Sequence, residues 1–250
     1  MAQRDEALLP RMHALKAEHP FWGDRRIWAS WRFVEQVPVH KKRILRLLRE
    51  HHLWVMPHAK LKAKRTPTRS KPRPTKPHAW GGIDMTKVMV EGFGWRSIVV
   101  VLDWDTKTMV GYYAGRPCTA RPWLAALDMA VNRQLLGGAR GHGLSLMSDN
   151  GSQPTAMAFM EACGTLGVHQ AFTRDSNPKG NADTERMIRT VKEECLWLRE
   201  WISPWELISA LGAWIESYNK HDLHSALGYK TPGQFERAYQ TSHSPPFVAA

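Results

Sequence analysis

Three carboxylates set the chemistry open to this sequence. Asp84 lies in a strand-like run over 83–90. Asp149 follows the apolar segment 144–147 and opens the turn Asp149-Asn150-Gly151-Ser152-Gln153. Glu185 stands near the start of a helical pattern that begins Gly180-Asn181-Ala182-Asp183-Thr184-Glu185 and runs on to Lys192, and 35 residues lie between Asp149 and Glu185. Cleaving a phosphodiester requires an activated water or hydroxyl and relief of charge on the leaving oxygen. Two divalent ions about 3.5–4 Å apart supply both. Mg²⁺ takes oxygen ligands and keeps some of its waters, so holding two ions takes several carboxylates from elements that converge on one sheet edge. On the helix, Glu185, Arg189 and Lys192 fall at i, i+4 and i+7 and share a face, beside a packing face of Met187, Ile188, Val191, Cys195 and Leu198. A metal-binding acid with cations one and two turns along suits a substrate that carries phosphate. Each acid taken alone has a plainer use. Asp149 can serve a turn, Glu185 can pair with Arg189, Asp103 and Asp105 can serve a hairpin turn, and Asp183 can cap the helix.

A sheet and a helix must position these groups. Strands are expected over 83–90, 95–103, 109–114, 144–147 and 168–172. The run Ile98-Val99-Val100-Val101-Leu102 is too apolar for anything but a buried strand. Helices are expected over 122–136, 155–166 and from Gly180 towards Arg199. Ser203-Pro204 then caps a further helix, with Trp205, Leu207, Ile208, Leu211, Trp214 and Ile215 mostly on one face. Thr231-Pro232 starts a last short helix. Three strands, then helix, strand, helix, strand, helix, predict an α/β domain with a mixed five-stranded sheet over 79–200 and a helical extension over 201–250.

The net charge of +12 is unevenly spread. Residues 1–78 hold 19 Lys/Arg against 6 Asp/Glu, whereas residues 79–250 hold 16 against 17. A basic segment joined to a near-neutral domain points to a polyanion, nucleic acid first. Within 1–56, helical patterns over 5–18 and 25–33 precede an amphipathic helix with Ile44, Leu45, Leu47 and Leu48 on one side. Its other side carries Lys41, Lys42, Arg43, Arg46 and Arg49. This fits a small all-α helix-turn-helix module whose cations meet phosphates. Trp22, Trp28 and Trp31 are candidates to stack on DNA or to pack the core. Residues 57–78 hold eight Lys/Arg, five prolines and no acid, and read as an extended basic linker, with Lys60, Lys62, Lys64 and Arg65 placed to lie along phosphates. Cys118, Cys163 and Cys195 match neither a zinc pattern nor a disulfide framework, so buried thiols are expected. No apolar run is long enough to span a membrane and no apolar signal core opens the chain, so a cytoplasmic location is the expectation.

The stretch Ile83-Asp84-Met85-Thr86, the stretch Ser148 to Gln153, and the stretch Gly180-Asn181 through Glu185 to Lys192 together resemble the DDE catalytic core of retroviral integrases and bacterial transposases. The likeness is greatest to the OrfB-type transposase of insertion sequence family three. The tail Tyr218-Asn219 through His224-Ser225-Ala226-Leu227-Gly228-Tyr229 to Thr231-Pro232 is similar to that family's C-terminal signature, and residues 23–53 resemble its helix-turn-helix. The resemblance implies an RNase H-like fold, two Mg²⁺ or Mn²⁺ ions held by Asp84, Asp149 and Glu185, and DNA strand cleavage with strand transfer. It implies DNA contact by Lys192, to which Arg189, Lys179 and Gln153 are added as neighbours. Its partners would be double-stranded DNA of element ends and target, further copies of the chain, and an upstream-frame segment fused by frameshifting. A non-catalytic DNA-binding regulator, an inactive remnant and an RNase H-like nuclease are the alternatives.

Overall fold

Alternation along the strands decides how the sheet is covered. β1 (Trp80–Val90) pairs antiparallel with β2 (Gly94–Asp103), and β2 pairs antiparallel with β3 (Met109–Gly115). β4 (Ser145–Ser148) runs parallel to β1, and β5 (His169–Phe172) parallel to β4. The order is β3-β2-β1-β4-β5, which bears out the mixed five-stranded sheet. Ile98, Val100 and Leu102 of β2 face one side, and Val99 and Val101 face the other. The first face is covered by α6 (Ala182–Val191) and α7 (Pro204–His221) through Ile188, Val191, Leu207 and Leu211. The second is covered by α4 (Arg121–Gln134) and α5 (Met157–Leu166) through Trp123, Leu127 and Phe159. Each such side chain contributes about 1.5–3 kcal/mol over its exposed state, and burial on both faces explains why the run 98–102 carries no polar residue.

The computed structural model describes residues 5–55, 74–116, 120–135, 138–173 and 178–243. Lys60, Lys62, Lys64, Arg65 and Cys118 lie outside the described residues. Two compact units are present. One comprises Thr68–Asp222 with Thr231–Ala250, and the other Met1–Pro67 with Leu223–Lys230.

In the larger unit, turns and helix ends are tied by side chains. Asp103 accepts hydrogen bonds from the backbone of Asp105 at 2.9 Å and of Thr106 at 2.8 Å, as expected of a hairpin-turn aspartate. Ser203 caps α7 by accepting from Trp205 N at 3.2 Å. At the other end of α7, Asn219 accepts from Met109 N at 2.9 Å and donates to Met109 O at 3.0 Å, while the Tyr218 hydroxyl donates to Lys107 O at 3.0 Å. The Tyr218-Asn219 pair therefore fastens the helix to β3. Helix α8 (Pro232–His243) opens with a reciprocal capping box in which Thr231 and Gln234 each bond the other's backbone N–H.

The smaller unit contains α1 (Leu9–Glu18), α2 (Asp24–Ala29) with a π-helical continuation Ser30–Val34, and α3 (Lys41–Glu50). Its core holds Met12, Trp22, Ile27, Trp31, Ile44, Leu47 and Leu48. Trp22 and Trp31 are buried, and Trp28 donates to Val39 O at 3.0 Å, so these tryptophans pack the unit and are not a DNA-stacking platform. Residues 223–230 belong here and not to the C-terminal extension of the core. Tyr229 packs at 5.2 Å against both Trp28 and Phe33, and Lys41 Nζ sits 3.9 Å over the Trp28 ring and 3.1 Å from the Tyr229 hydroxyl.

The linker reading also needs a correction at its end. His78 is fixed, with its N–H donating to Asp103 Oδ2 at 2.7 Å and its ring Nδ1 at 3.5 Å from the same oxygen. Its Nε2 lies 3.8 Å from Glu236 on α8. The Asp103 carboxylate beside the ring raises the His78 pKa above its ordinary value against the opposing effect of burial. A histidine raised in the folded state contributes stability that is complete below the unfolded value of about 6.5 and lost as pH rises through the folded value. The stability advantage of wild type over His78→Gln, read by urea unfolding, is expected to be larger at pH 6 than at pH 9. An equal gap at both would exclude the charged pair as its source.

Candidate active site

Register brings the first two acids level. Gly82 pairs with Met147 across the parallel β1–β4 ladder, so two residues further on Asp84 stands opposite Asp149, the first residue past β4. This bears out the expected neighbour relation of these strands. Asp149 is exposed and accepts from Gly151 N at 3.2 Å, while Asp84 is half-buried and accepts from Met85 N at 2.7 Å. Glu185 comes from the first turn of α6.

The seating of α6 on β1 was not read from the sequence. Trp104 Nε1 donates to Thr184 Oγ1 at 3.0 Å in the core, and Asn181 Nδ2 lies 3.4 Å from the carbonyl of Ile83, the residue before Asp84. Gly82 makes this approach possible. A Cβ there would lie 1.9 Å from Thr184 Oγ1, 2.6 Å from Trp104 Nε1 and 2.7 Å from Asn181 Oδ1. Gly81-Gly82 inside a strand was the available signal, since glycine within a strand often marks close backbone approach. Asp183 does not cap the helix. It pairs with Lys107 Nζ at 2.9 Å, a second tie from α6 to the β2–β3 turn, and Asn181 occupies the cap position.

Asp84 senses the other two acids. Burial, joined by the carboxylates of Asp149 and Glu185, pushes Asp84 up to about 6 against the Met85 N–H and the Lys192 ammonium. Burial also raises Glu185. Asp84, Asp149, Glu185 and Lys192 thus lie within electrostatic reach around the β1–β4 edge. Among the described residues, no three His, Cys, Asp or Glu side chains form a group able to hold one metal ion. The donor chemistry nonetheless fits a hard divalent cation, being all oxygen, with mutual repulsion that a cation would relieve.

The other expected contacts divide. Arg189 Nε pairs with Glu193 at 2.7 Å and not with Glu185. Gln153 follows Asp149 in the same exposed turn, and Lys179 lies in the short 3₁₀ helix Pro178–Asn181. On α3, Arg43 and Arg46 bond Asp5 at 2.7 and 2.8 Å, Arg46 also bonds Glu50 at 2.7 Å, and Lys41 is held by the aromatic cluster. Lys42 is exposed on that helix. The basic face is therefore partly used up within its own unit. Helix α6 was expected to continue towards Arg199 with Leu198 in its packing face. Instead it widens into a π-helical turn, Lys192–Leu196, and stops, which leaves Trp197 and Leu198 exposed. Cys163 and Cys195 are buried thiols, with burial pushing them up to about 12 and about 11.

A sheet of this order, flanked by helices on both faces and carrying acids on β1, after β4 and on the following helix, is the RNase H-like fold of integrase catalytic cores. Residues 166–232, which include Glu185 and Lys192, match the integrase core domain family. The simian T-cell lymphotropic virus intasome contains a chain of the same fold, with a TM-score of 0.56 at 17% identity over 85% of this chain and 70% of that one. The chain is similar to insertion-element proteins over most of its length. It is 25% identical to the IS407 31.7 kDa protein of Burkholderia multivorans over 97% of this chain and 85% of that one. It is 22% identical to the InsD transposase of IS2 from Escherichia coli over 93% and 79%. With the IS136 protein of Agrobacterium fabrum it shares 29% identity over 109 residues, a match spanning 56% of that protein. The likeness to insertion-sequence transposases read from the motifs therefore holds.

The helix seat yields a stability prediction. Gly82→Ala should destabilise the protein by about 1–3 kcal/mol, as overpacking of a tight core does, measured by chemical denaturation. A change under about 0.5 kcal/mol, the range of ordinary surface substitutions, would show that the seat is not tight.

Proposed function

We propose that this chain is a DDE transposase that cuts DNA at the ends of a bacterial insertion element and joins the freed 3′ end to target DNA. The observation that carries the reading is the convergence of Asp84 with Asp149, Glu185 and Lys192, drawn from three separate stretches of sequence, close enough for the last three to act on the Asp84 carboxyl. Asp84, Asp149 and Glu185 would hold two Mg²⁺ or Mn²⁺ ions. Such ions supply activation of the attacking oxygen and relief of charge on the leaving oxygen. The protein's own part is to position the groups and stabilise charge, as in phosphoryl transfer generally. The β1–β4 register and the α6 seat fix the acids' backbones. Lys192 meets a phosphate near them, with Arg189, Gln153 and Lys179 further along the bound strand. The basic residues of 1–78, Lys42 among them, grip the duplex, and pairing two element ends requires more than one copy of the chain. Similarity to InsD, whose name is that of a transposase, and the fold shared with an intasome chain support this reading.

The test is metal-dependent nicking and strand transfer on duplexes carrying the element ends. Glu185→Gln, shown to be folded, is expected to lose activity by a factor of about 10² or more, as loss of a group that stabilises transition-state charge does. Cleavage at the wild-type rate would sink the assignment. Lys192→Ala should weaken duplex binding and flatten the plot of log K against log salt by about 0.9, one phosphate contact's worth. An unchanged slope would remove Lys192 from the DNA surface.

A second reading, a DNA-binding protein without catalysis, is motivated by the finding that, among the described residues, no three such side chains form one metal-holding group. Wild type that binds the ends yet never nicks them with Mg²⁺ or Mn²⁺ would establish it. Nicking without joining would identify a nuclease.

A further inference from the structure

The π-helical turn that ends α6 decides which side chain lies beside Lys192. In an α-helix the neighbours one turn on would be Cys195 and Leu196, and both are buried in the core. The turn Lys192–Leu196 instead closes through an i+5 bond, with Trp197 N donating to Lys192 O at 2.8 Å. Trp197 is thereby brought round to Lys192, whose Nζ stands 5.8 Å from the centre of the indole ring. The ring is 62% exposed, so core packing does not account for it. Single π-helical turns inside α-helices recur at functional sites.

The other cations near this helix end are already engaged. Arg189 pairs with Glu193 at 2.7 Å and Arg199 with Glu206 at 3.2 Å, and Arg199 also lies 4.5 Å over the Trp201 ring. Among the described residues, Lys192 Nζ makes neither an ion pair nor a hydrogen bond. It nevertheless acts on the carboxyl of Asp84, which Asp149 and Glu185 also reach. A lysine ammonium is a compact charge on a flexible stem, and carboxylates so near draw it towards themselves. An ammonium lying on the acids is lost to a phosphate. The indole face offers it a second seat, since the ring attracts a cation held within about 6 Å of its centre.

We propose that Trp197 is a positioning residue, whose ring holds the Lys192 ammonium clear of the acids and ready for a phosphate of the bound DNA. This rests on Lys192 being a DNA contact, and the experiment separates the two. The full-length chain, free of metal, is titrated with a duplex carrying an element end at one fixed salt concentration, as a double-mutant cycle. Trp197→Leu is expected to weaken binding about two- to five-fold, the range of an exposed cation–π contact. Trp197→Phe should restore part of the loss, because a phenyl face attracts a cation less well than an indole but still attracts it. In the Lys192→Ala background, Trp197→Leu should cost nothing further, whereas a purely structural ring, or one that touches DNA itself, would cost the same in both backgrounds. The seat is also read without DNA. In proton NMR of lysine-labelled protein, the Lys192 ε-methylene, identified by its absence from Lys192→Ala, should be shifted upfield by the ring current and return to the ordinary lysine position in Trp197→Leu. An unshifted methylene would overturn the proposal, as would equal costs in the two backgrounds. If Lys192→Ala weakens binding and Trp197→Leu does not, the role of Trp197 alone falls. If Lys192→Ala leaves affinity unchanged, Lys192 is no DNA contact and the role of Trp197 falls with it.

Discussion

The contact on which the site depends is the approach of α6 to β1 at Gly82. Thr184, Trp104 and Asn181 converge where a Cβ would otherwise stand, and nothing larger than hydrogen fits. Helix and strand each carry one acid, Glu185 one residue past Thr184 on the helix side and Asp84 two past Gly82 on the strand side. Their relative placement is therefore set by dense packing, which has little compliance, and not by the acids themselves, which repel one another. The Asp183–Lys107 pair adds a second fixed point, so the helix can neither slide nor rotate freely. A site built from groups that destabilise each other has to be held together from outside, and this seat does so.

The charge distribution complements that arrangement. The larger unit is near neutral, and its acids would themselves repel bare phosphate. Most of the excess cations lie before residue 79. Yet α3 shows that sequence charge overstates what is available to a polyanion. Arg43 and Arg46 are drawn to Asp5, and Lys41 to an aromatic cluster.

Local signals were legible and long-range ones were not. The apolar run 98–102 reported its own burial, and Asp103 its turn. The order of strands and helices followed from their period and spacing, and the Asp84–Asp149 relation from the tendency of successive strands to lie side by side. The π-helical turn at 192–196 could not be read, because one extra residue per turn scarcely changes the apolar period, and the expected burial of Leu198 failed with it. Asp183 looked like a cap because its true partner, Lys107, is 76 residues away. Tyr229 looked like part of a turn-rich tail for the same reason.

That last residue has a consequence for synthesis. The helical unit is written in two pieces, and the second, carrying Tyr229, emerges from the ribosome only after the whole sheet. Translation at about 5–20 residues per second separates the pieces by on the order of ten seconds or more. During that interval Trp28, Phe33 and Lys41 have no Tyr229 to close over them, so the segment made first has to wait for a piece made after the sheet.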